Sequence, residues 1–185
     1  MANRTDKVSM ASRADKTNKT NKTNKTHITD KTDRVGKRIA LIGYGSDIRC
    51  DDKVGLDVID QLSQDLGHRQ DLSFFKGYNS LDLMTLFSDY DSVYIIDAAF
   101  LHKAPGEFIS VAYDDINIPD DSTFASHDTS FKHIIPLAKD LGYPVPQITF
   151  FLIEPKLLGI GEEYSSELRS ALPQFIEFIK THIDP

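Results

Sequence analysis

From residue 38 onward, apolar residues occur in two patterns, and the first consists of short continuous runs. Five runs are rich in Val, Ile, Leu and Phe and are separated by Gly, Pro, Asp and other turn residues. Runs of this length and composition are typical of buried strands. The predicted strands are Arg38–Tyr44, Leu72–Phe75, Ser92–Asp97, Glu107–Ala112 and Gln147–Ile153.

The second pattern is helical, with apolar residues three or four positions apart, as in Val54, Val58 and Leu62. Two prolines fall inside such segments. We expect the helix that contains Pro136 to be kinked or to start late, and the helix that contains Pro173 to be bent or interrupted. The predicted helices are Asp52–Leu66, Leu81–Phe87, Thr129–Leu141 and Ser165–His182.

The alternation of strands and helices predicts an α/β fold. A strand that is followed by a helix and then by another strand usually forms a parallel pair. We therefore expect three layers, with a mostly parallel twisted sheet covered by helices on both faces. The chain has 185 residues, which is enough for one domain, and we assign that domain to residues 37–185.

The first 36 residues differ from this domain in composition. Residues 16–26 repeat Lys, Thr and Asn with a period of three, and they offer almost nothing to bury. Ordering such a segment costs conformational entropy without a hydrophobic gain. We therefore expect residues 1–36 to be a disordered, polar, basic tail.

Charge and hydropathy restrict the classes of partner. Residues 1–38 carry a net charge of +7, whereas residues 39–185 carry −14. The acidic domain argues against nucleic-acid binding and suits a cation or a basic peptide. No apolar run is long enough to span a bilayer, the start of the chain lacks the apolar region of a secretory signal, and Cys50 is the only cysteine. We expect a cytoplasmic protein without a membrane partner.

Four residues whose side chains can bind a metal lie at the ends of strands or the starts of helices. Asp51 and Asp52 begin a predicted helix, Asp97 ends the most apolar strand, and His127 lies just before another helix. Asp51 is expected to cap its helix, as acidic residues in first turns usually do. Asp52, Asp97 and His127 could converge at the carboxyl edge of the sheet, where α/β folds build their sites.

Two carboxylates and one imidazole suit a borderline divalent metal such as zinc or nickel, and they leave coordination positions open for water or a substrate group. Asp47, Asp128 and Glu154 could support these ligands by hydrogen bonding or could remain solvated. Cys50 has no His nearby in the sequence. A dinucleotide loop is disfavoured, because Ile48 stands where the third glycine of that fingerprint belongs.

The motifs at these positions resemble those of the hydrogenase maturation endopeptidases. That family opens with a strand, a Gly-x-Gly turn and an acidic pair before a helix. Its later landmarks are a strand that ends in Asp-Ala, a Pro-Gly turn and a Ser-His before a helix. Here the corresponding segments are Gly43–Ser46, Asp51–Gly55, Ile95–Ala99, Ala104–Gly106 and Ser126–Asp128.

The resemblance implies a phosphorylase/hydrolase-like α/β fold and an endopeptidase of aspartic or metal-dependent type. Its implied partner is the large-subunit precursor of a NiFe hydrogenase, whose C-terminal extension it removes after nickel insertion. Asp52, Asp97 and His127 would bind the nickel that the substrate carries, and another divalent metal could replace it in vitro. Asp52 and Asp97 would be the catalytic carboxylates.

Two alternatives remain open at this point. Lys53 and Lys76 differ from the residues usual in the family, which would fit a non-catalytic factor that binds the metal centre or the precursor. A nucleotide-binding α/β domain is the other alternative, because similar sheets serve such ligands.

Overall fold

Four parallel strands and one antiparallel strand form the sheet that we observe in the described part of the chain. The computed structural model describes residues 36–77, 80–115 and 129–183. Apart from Gly36, the predicted tail lies outside these residues, so its disorder stays a prediction. The strands are β1 (Ile39–Gly43), β2 (Leu72–Lys76), β3 (Ser92–Ala98), β4 (Phe108–Ala112) and β5 (Gln147–Ile153).

The strand order across the sheet is β2-β1-β3-β5-β4. β1 pairs in parallel with both β2 and β3, β3 pairs in parallel with β5, and only the β4–β5 pair is antiparallel. The carboxyl ends of β1, β3 and β5 therefore lie side by side at one edge of the sheet. The prediction of a mostly parallel sheet is confirmed.

Helices cover both faces of this sheet. Residues of β1 alternate between the two cores, with Ile39 and Leu41 facing one and Ala40 and Ile42 facing the other. The first core is completed by α1 and α4, and the second by α2 and α3. No described helix has the length and hydrophobicity needed to cross a bilayer. The helices are α1 (Val54–Leu66), α2 (Ser80–Phe87), α3 (Thr129–Asp140) and α4 (Ser166–Ile183).

Two predicted helices differ from the observed ones. The helix expected from Asp52 becomes α-helical only at Val54, because Cys50–Lys53 form a 3-10 helix first. The helix that contains Pro173 continues without interruption from Ser166 to Ile183. Buried residues on both sides of the proline, including Leu168 and Phe175, hold α4 on the sheet. Such packing supplies most of a helix's stability in a folded protein.

The start of α1 lies directly on the ends of β1 and β3. A Cβ placed at Gly55 would be 2.2 Å from the carbonyl oxygen of Tyr44 and 2.3 Å from that of Ile96. Contacts this short are impossible for a real Cβ, so only glycine allows this approach. The glycine thereby fixes the 3-10 helix and its acidic pair beside the carboxyl end of β3.

Replacing Gly55 by alanine should therefore separate α1 from the sheet. We expect Gly55→Ala to lower the free energy of unfolding by at least about 2 kcal/mol, as measured by urea denaturation. Gly159→Ala is the matched control, since a Cβ there meets nothing within 4 Å. Equal stability of the two variants would contradict the close contact.

Candidate functional site

Asp52 is a buried carboxylic acid without hydrogen-bond partners in the described part of the chain. It lies in the 3-10 helix Cys50–Lys53 and is 1% exposed. Both of its carboxylate oxygens lack a partner among the described residues. Burial of such a group is costly unless something binds it. An unpartnered pair of oxygens at the edge of a sheet is what a bound cation or a substrate donor would satisfy.

Asp97 is the second buried acid at this edge. It is the penultimate residue of β3 and is 5% exposed. Its Oδ1 accepts a hydrogen bond from the N–H of Ala98 at 2.8 Å. The strand fixes the backbone of Asp97 through its pairing with Leu152 of β5. Asp97 is therefore held rigidly at the centre of the sheet's carboxyl edge.

The packing of α1 brings the two acids to the same place in the fold. The N–H of Tyr44 donates to the carbonyl of Ile96 at 2.9 Å, and Gly55 lies against the same carbonyl. Ile96 directly precedes Asp97, while Asp52 is three residues before Gly55. The 3-10 helix that carries Asp52 also contacts β3. Both acids thus occupy the carboxyl edge, as the sequence predicts.

His127 and Asp128 lie outside the described residues, so the predicted third ligand is not located. The topology does place the start of α3, two residues after His127. β5 runs parallel to β3, and α3 leads into its first residue, Gln147. α3 therefore ends toward the amino edge of the sheet, and its 12 residues extend about 18 Å, so an α3 that runs antiparallel to β5 would begin toward the carboxyl edge. Within the described ranges, no group of three or more His, Cys, Asp or Glu side chains could hold a metal.

Asp51 has a different role from its neighbour. Its Oδ2 accepts hydrogen bonds from the N–H groups of Lys156 and Leu157 at 2.8 and 2.9 Å. Its Oδ1 accepts one from the N–H of Ser165 at 2.8 Å. All three of these donors belong to another segment, so the expected capping hydrogen bond is not formed, although Asp51 does lie in the first turn of the 3-10 helix. This fully buried carboxylate instead holds the loop between β5 and α4 against the start of α1.

Asparagine at position 51 would replace one carboxylate oxygen by an NH₂ group, which would face a backbone N–H, so two hydrogen-bond donors would meet. We expect Asp51→Asn to lower the free energy of unfolding by about 2–4 kcal/mol. Hydrogen exchange at the amides of Lys156 and Leu157 should accelerate in the same variant. The control is Asp47→Asn, because Asp47 is exposed. Wild-type stability and exchange in Asp51→Asn would contradict this role.

Glu154 also acts on a loop. It follows β5, is buried, and its Oε2 accepts hydrogen bonds from the N–H groups of Leu101 and Lys103. It therefore fixes the loop after β3, which follows Asp97. Asp47 is exposed, in keeping with a solvated carboxylate.

Lys53 and Lys76 are engaged away from Asp52. Lys53 Nζ lies 3.5 Å from Asp57 Oδ2 and 4.5 Å from the ring centroid of Tyr164. The hydroxyl of Tyr164 donates to Asp57 at 2.7 Å. Burial of that ring, with the hydrogen bond to Asp57, raises the pKa of Tyr164. Lys76 pairs with Asp60 on the outside of α1. Neither lysine satisfies the oxygens of Asp52.

The glycine turn after β1 is filled by protein backbone. A Cβ at Gly45, which has a φ of +135°, would lie 1.8 Å from the carbonyl oxygen of Asp52. A Cβ at Gly43 would lie 2.1 Å from the carbonyl oxygen of Gly55. Packing of Gly43 against α1 and of Gly45 against the 3-10 helix explains both glycines without a nucleotide phosphate.

Comparison with known proteins identifies relatives of this chain. The family model described as "Hydrogenase maturation protease" (HycI) matches residues 57–182, a span that begins after Asp52 and includes Asp97 and His127. No sequence among the curated proteins matches the chain.

Solved structures of such proteases share the fold. The hydrogenase maturating endopeptidase HybD from E. coli is 14% identical, with a TM-score of 0.67 over 79% of this chain and 91% of that one. The NiFe hydrogenase maturation protease HybD from Thermococcus kodakarensis is 20% identical, with a TM-score of 0.60 over 78% and 98%. HycI from Thermococcus kodakarensis KOD1 is 21% identical, with a TM-score of 0.61 over 80% and 94%.

Proposed function

The chain belongs to the hydrogenase maturation protease family, and we propose that it removes the C-terminal extension of a NiFe hydrogenase large-subunit precursor after nickel insertion. The observation that carries the proposal is the buried, unpartnered carboxyl of Asp52 at the edge that also bears Asp97. A substrate donor, or a metal that the substrate carries, would satisfy the two oxygens of Asp52.

The group bound there is, in our proposal, the nickel that the precursor already holds. Asp52 and Asp97 would supply oxygen ligands and His127 a nitrogen ligand, a set that suits nickel or zinc. The start of α3 toward the carboxyl edge supports a position of His127 within reach of the two acids. Because the metal belongs to the substrate, a loaded precursor would complete the site during processing, whereas added Ni²⁺ or Zn²⁺ could occupy it in vitro.

Two chemical routes lead from this arrangement to hydrolysis. In the first, Asp52 or Asp97 acts as general base and removes a proton from the attacking water. In the second, the acids and His127 hold the substrate's metal beside the scissile carbonyl, which the metal polarises. In both routes the buried acids must lie next to the peptide bond that is cut.

The composition supports the proposed compartment and the proposed class of partner. A single cysteine is in keeping with action in the cytoplasm, and the acidic domain with a partner that is not nucleic acid.

Intact-mass spectrometry of the precursor tests the proposed activity. We expect wild-type protein to shorten the nickel-loaded precursor at its C-terminus and to leave the nickel-free precursor unchanged. Binding of the loaded precursor without any loss of mass would contradict the protease and favour the non-catalytic assembly factor. Equal cleavage of both precursors would contradict recognition of the metal.

A further inference from the structure

We propose that an apolar ridge beside Asp52 binds the polypeptide segment of the precursor that flanks the scissile bond. This inference rests on the proposed function. The ridge consists of Ile48, on the loop after β1, and Leu157 and Ile160, on the loop after β5. These side chains are 59%, 46% and 91% exposed, respectively.

Backbone hydrogen bonds join the two loops into one surface. The N–H of Gly161 donates to the carbonyl of Ile48 at 2.9 Å, and the N–H of Cys50 donates to the carbonyl of Gly161 at 2.7 Å. The Asp51 N–H donates to the carbonyl of Leu157 at 3.0 Å. Ile48 and Ile160 are therefore neighbours across a paired segment, and Leu157 lies close to the acidic pair.

The side chains of three residues fix this surface further. Arg49 donates to the carbonyl of Leu158 from Nε and Nη2 at 3.1 and 3.0 Å. Asp51 holds the same loop through three N–H groups. A Cβ at Gly161 would lie 2.8 Å from the sulfur of Cys50, so this contact leaves no space between the loops. The ridge side chains are therefore exposed on loops that hydrogen bonds and packing hold in place.

The position and surroundings of the ridge indicate its partner. It begins four residues before Asp52, a separation that spans at most about 14 Å, so a substrate segment bound at Asp52 can reach the ridge within a few residues of the cut bond. Exposed acids, Asp47 and Glu162, adjoin it and form no ion pair with a described residue, whereas the neighbouring Lys156 is paired with Glu167. Apolar side chains beside two unpaired acids complement an extended segment that carries apolar residues and Lys or Arg.

Other exposed apolar side chains provide a control. Leu141, which follows α3 at the amino edge of the sheet, is 60% exposed. It has the same chemistry as the ridge but lies away from Asp52. Substitution of a ridge residue or of Leu141 should leave the free energy of unfolding unchanged, because these side chains are exposed.

The test compares Ile48→Asp and Ile160→Asp with Leu141→Asp in cleavage of the nickel-loaded precursor. We expect each ridge variant to raise KM by about tenfold with kcat changed less than about twofold, since ridge contacts form equally in the ground and transition states. Leu141→Asp should keep the wild-type KM. Added NaCl should raise the wild-type KM, and Glu162→Gln should weaken this dependence.

Affinity for the precursor is measured in parallel, by interferometry, in the inactive Asp97→Ala background. Wild-type KM and affinity in both ridge variants would overturn the ridge and leave the proposed protease intact. Loss of affinity in ridge variants, with no cleavage by wild-type protein, would overturn the protease and support the ridge. Sedimentation that shows a wild-type dimer, abolished by Ile160→Asp, would assign the ridge to a second copy and overturn the proposal.

Discussion

Alanine at Asp97 or at His127 is expected to abolish processing of the nickel-loaded precursor while leaving the fold intact. Either change removes one ligand from the set that would bind the substrate's metal, and the change at Asp97 also removes a candidate general base. We expect the cleavage rate to fall at least about 10³-fold. The measurement is the intact mass of the precursor over time, together with the thermal unfolding midpoint of each variant.

Exposed residues of the same types serve as controls. His133 lies on α3 and Asp140 ends that helix, and both are exposed. His133→Ala and Asp140→Ala should process the precursor at the wild-type rate. Full processing by Asp97→Ala or by His127→Ala would remove that residue from the site.

A second large effect is expected at Asp52, where stability and activity should change in opposite directions. Asp52→Asn removes a buried acid whose two oxygens have no partner among the described residues. We expect the free energy of unfolding to rise by about 1–3 kcal/mol, because a neutral amide costs less to bury than a carboxylate. Cleavage of the loaded precursor should be lost in the same variant, as measured by mass spectrometry.

The adjacent acid provides the matched comparison. Asp51→Asn introduces the same chemical change one residue earlier, where three N–H groups surround the carboxylate. It should destabilise the protein, whereas Asp52→Asn should stabilise it. If both variants lose stability, the oxygens of Asp52 have hydrogen-bond partners in the folded protein. The proposal that these oxygens are available to a ligand would then be wrong.

Local patterns predicted the strands well because those strands are continuous apolar runs. β3 was expected at Ser92–Asp97 and extends one residue further, to Ala98. The start of α1 was less predictable. Cys50–Lys53 adopt a 3-10 helix where hydrogen bonds tie this segment to the loop after β5. Those partners lie more than 100 residues away in the sequence, where periodicity gives no information.

Prediction of the candidate site from the sequence is limited by distant contacts in the same way. The sequence places Asp52 and Asp97 at the carboxyl edge, because topology alone determines which strand ends share an edge. It separates Asp52, the candidate ligand, from Asp51, the expected cap, but it does not predict that Asp51 anchors a distant loop. Their difference arises from the amides of Lys156, Leu157 and Ser165, which reach Asp51 only. A buried acid that anchors a distant loop has no signal in a single sequence.

Anomalous diffraction from crystals soaked with Ni²⁺ or Zn²⁺ tests most directly whether the predicted ligands share one ion. We expect a single anomalous peak at the carboxyl edge of the sheet, coordinated by Asp52, Asp97 and His127. The same soak of Asp97→Ala crystals should give no peak there. A wild-type crystal without a peak at this edge, or with His127 turned away from Asp52 and Asp97, would contradict the metal site.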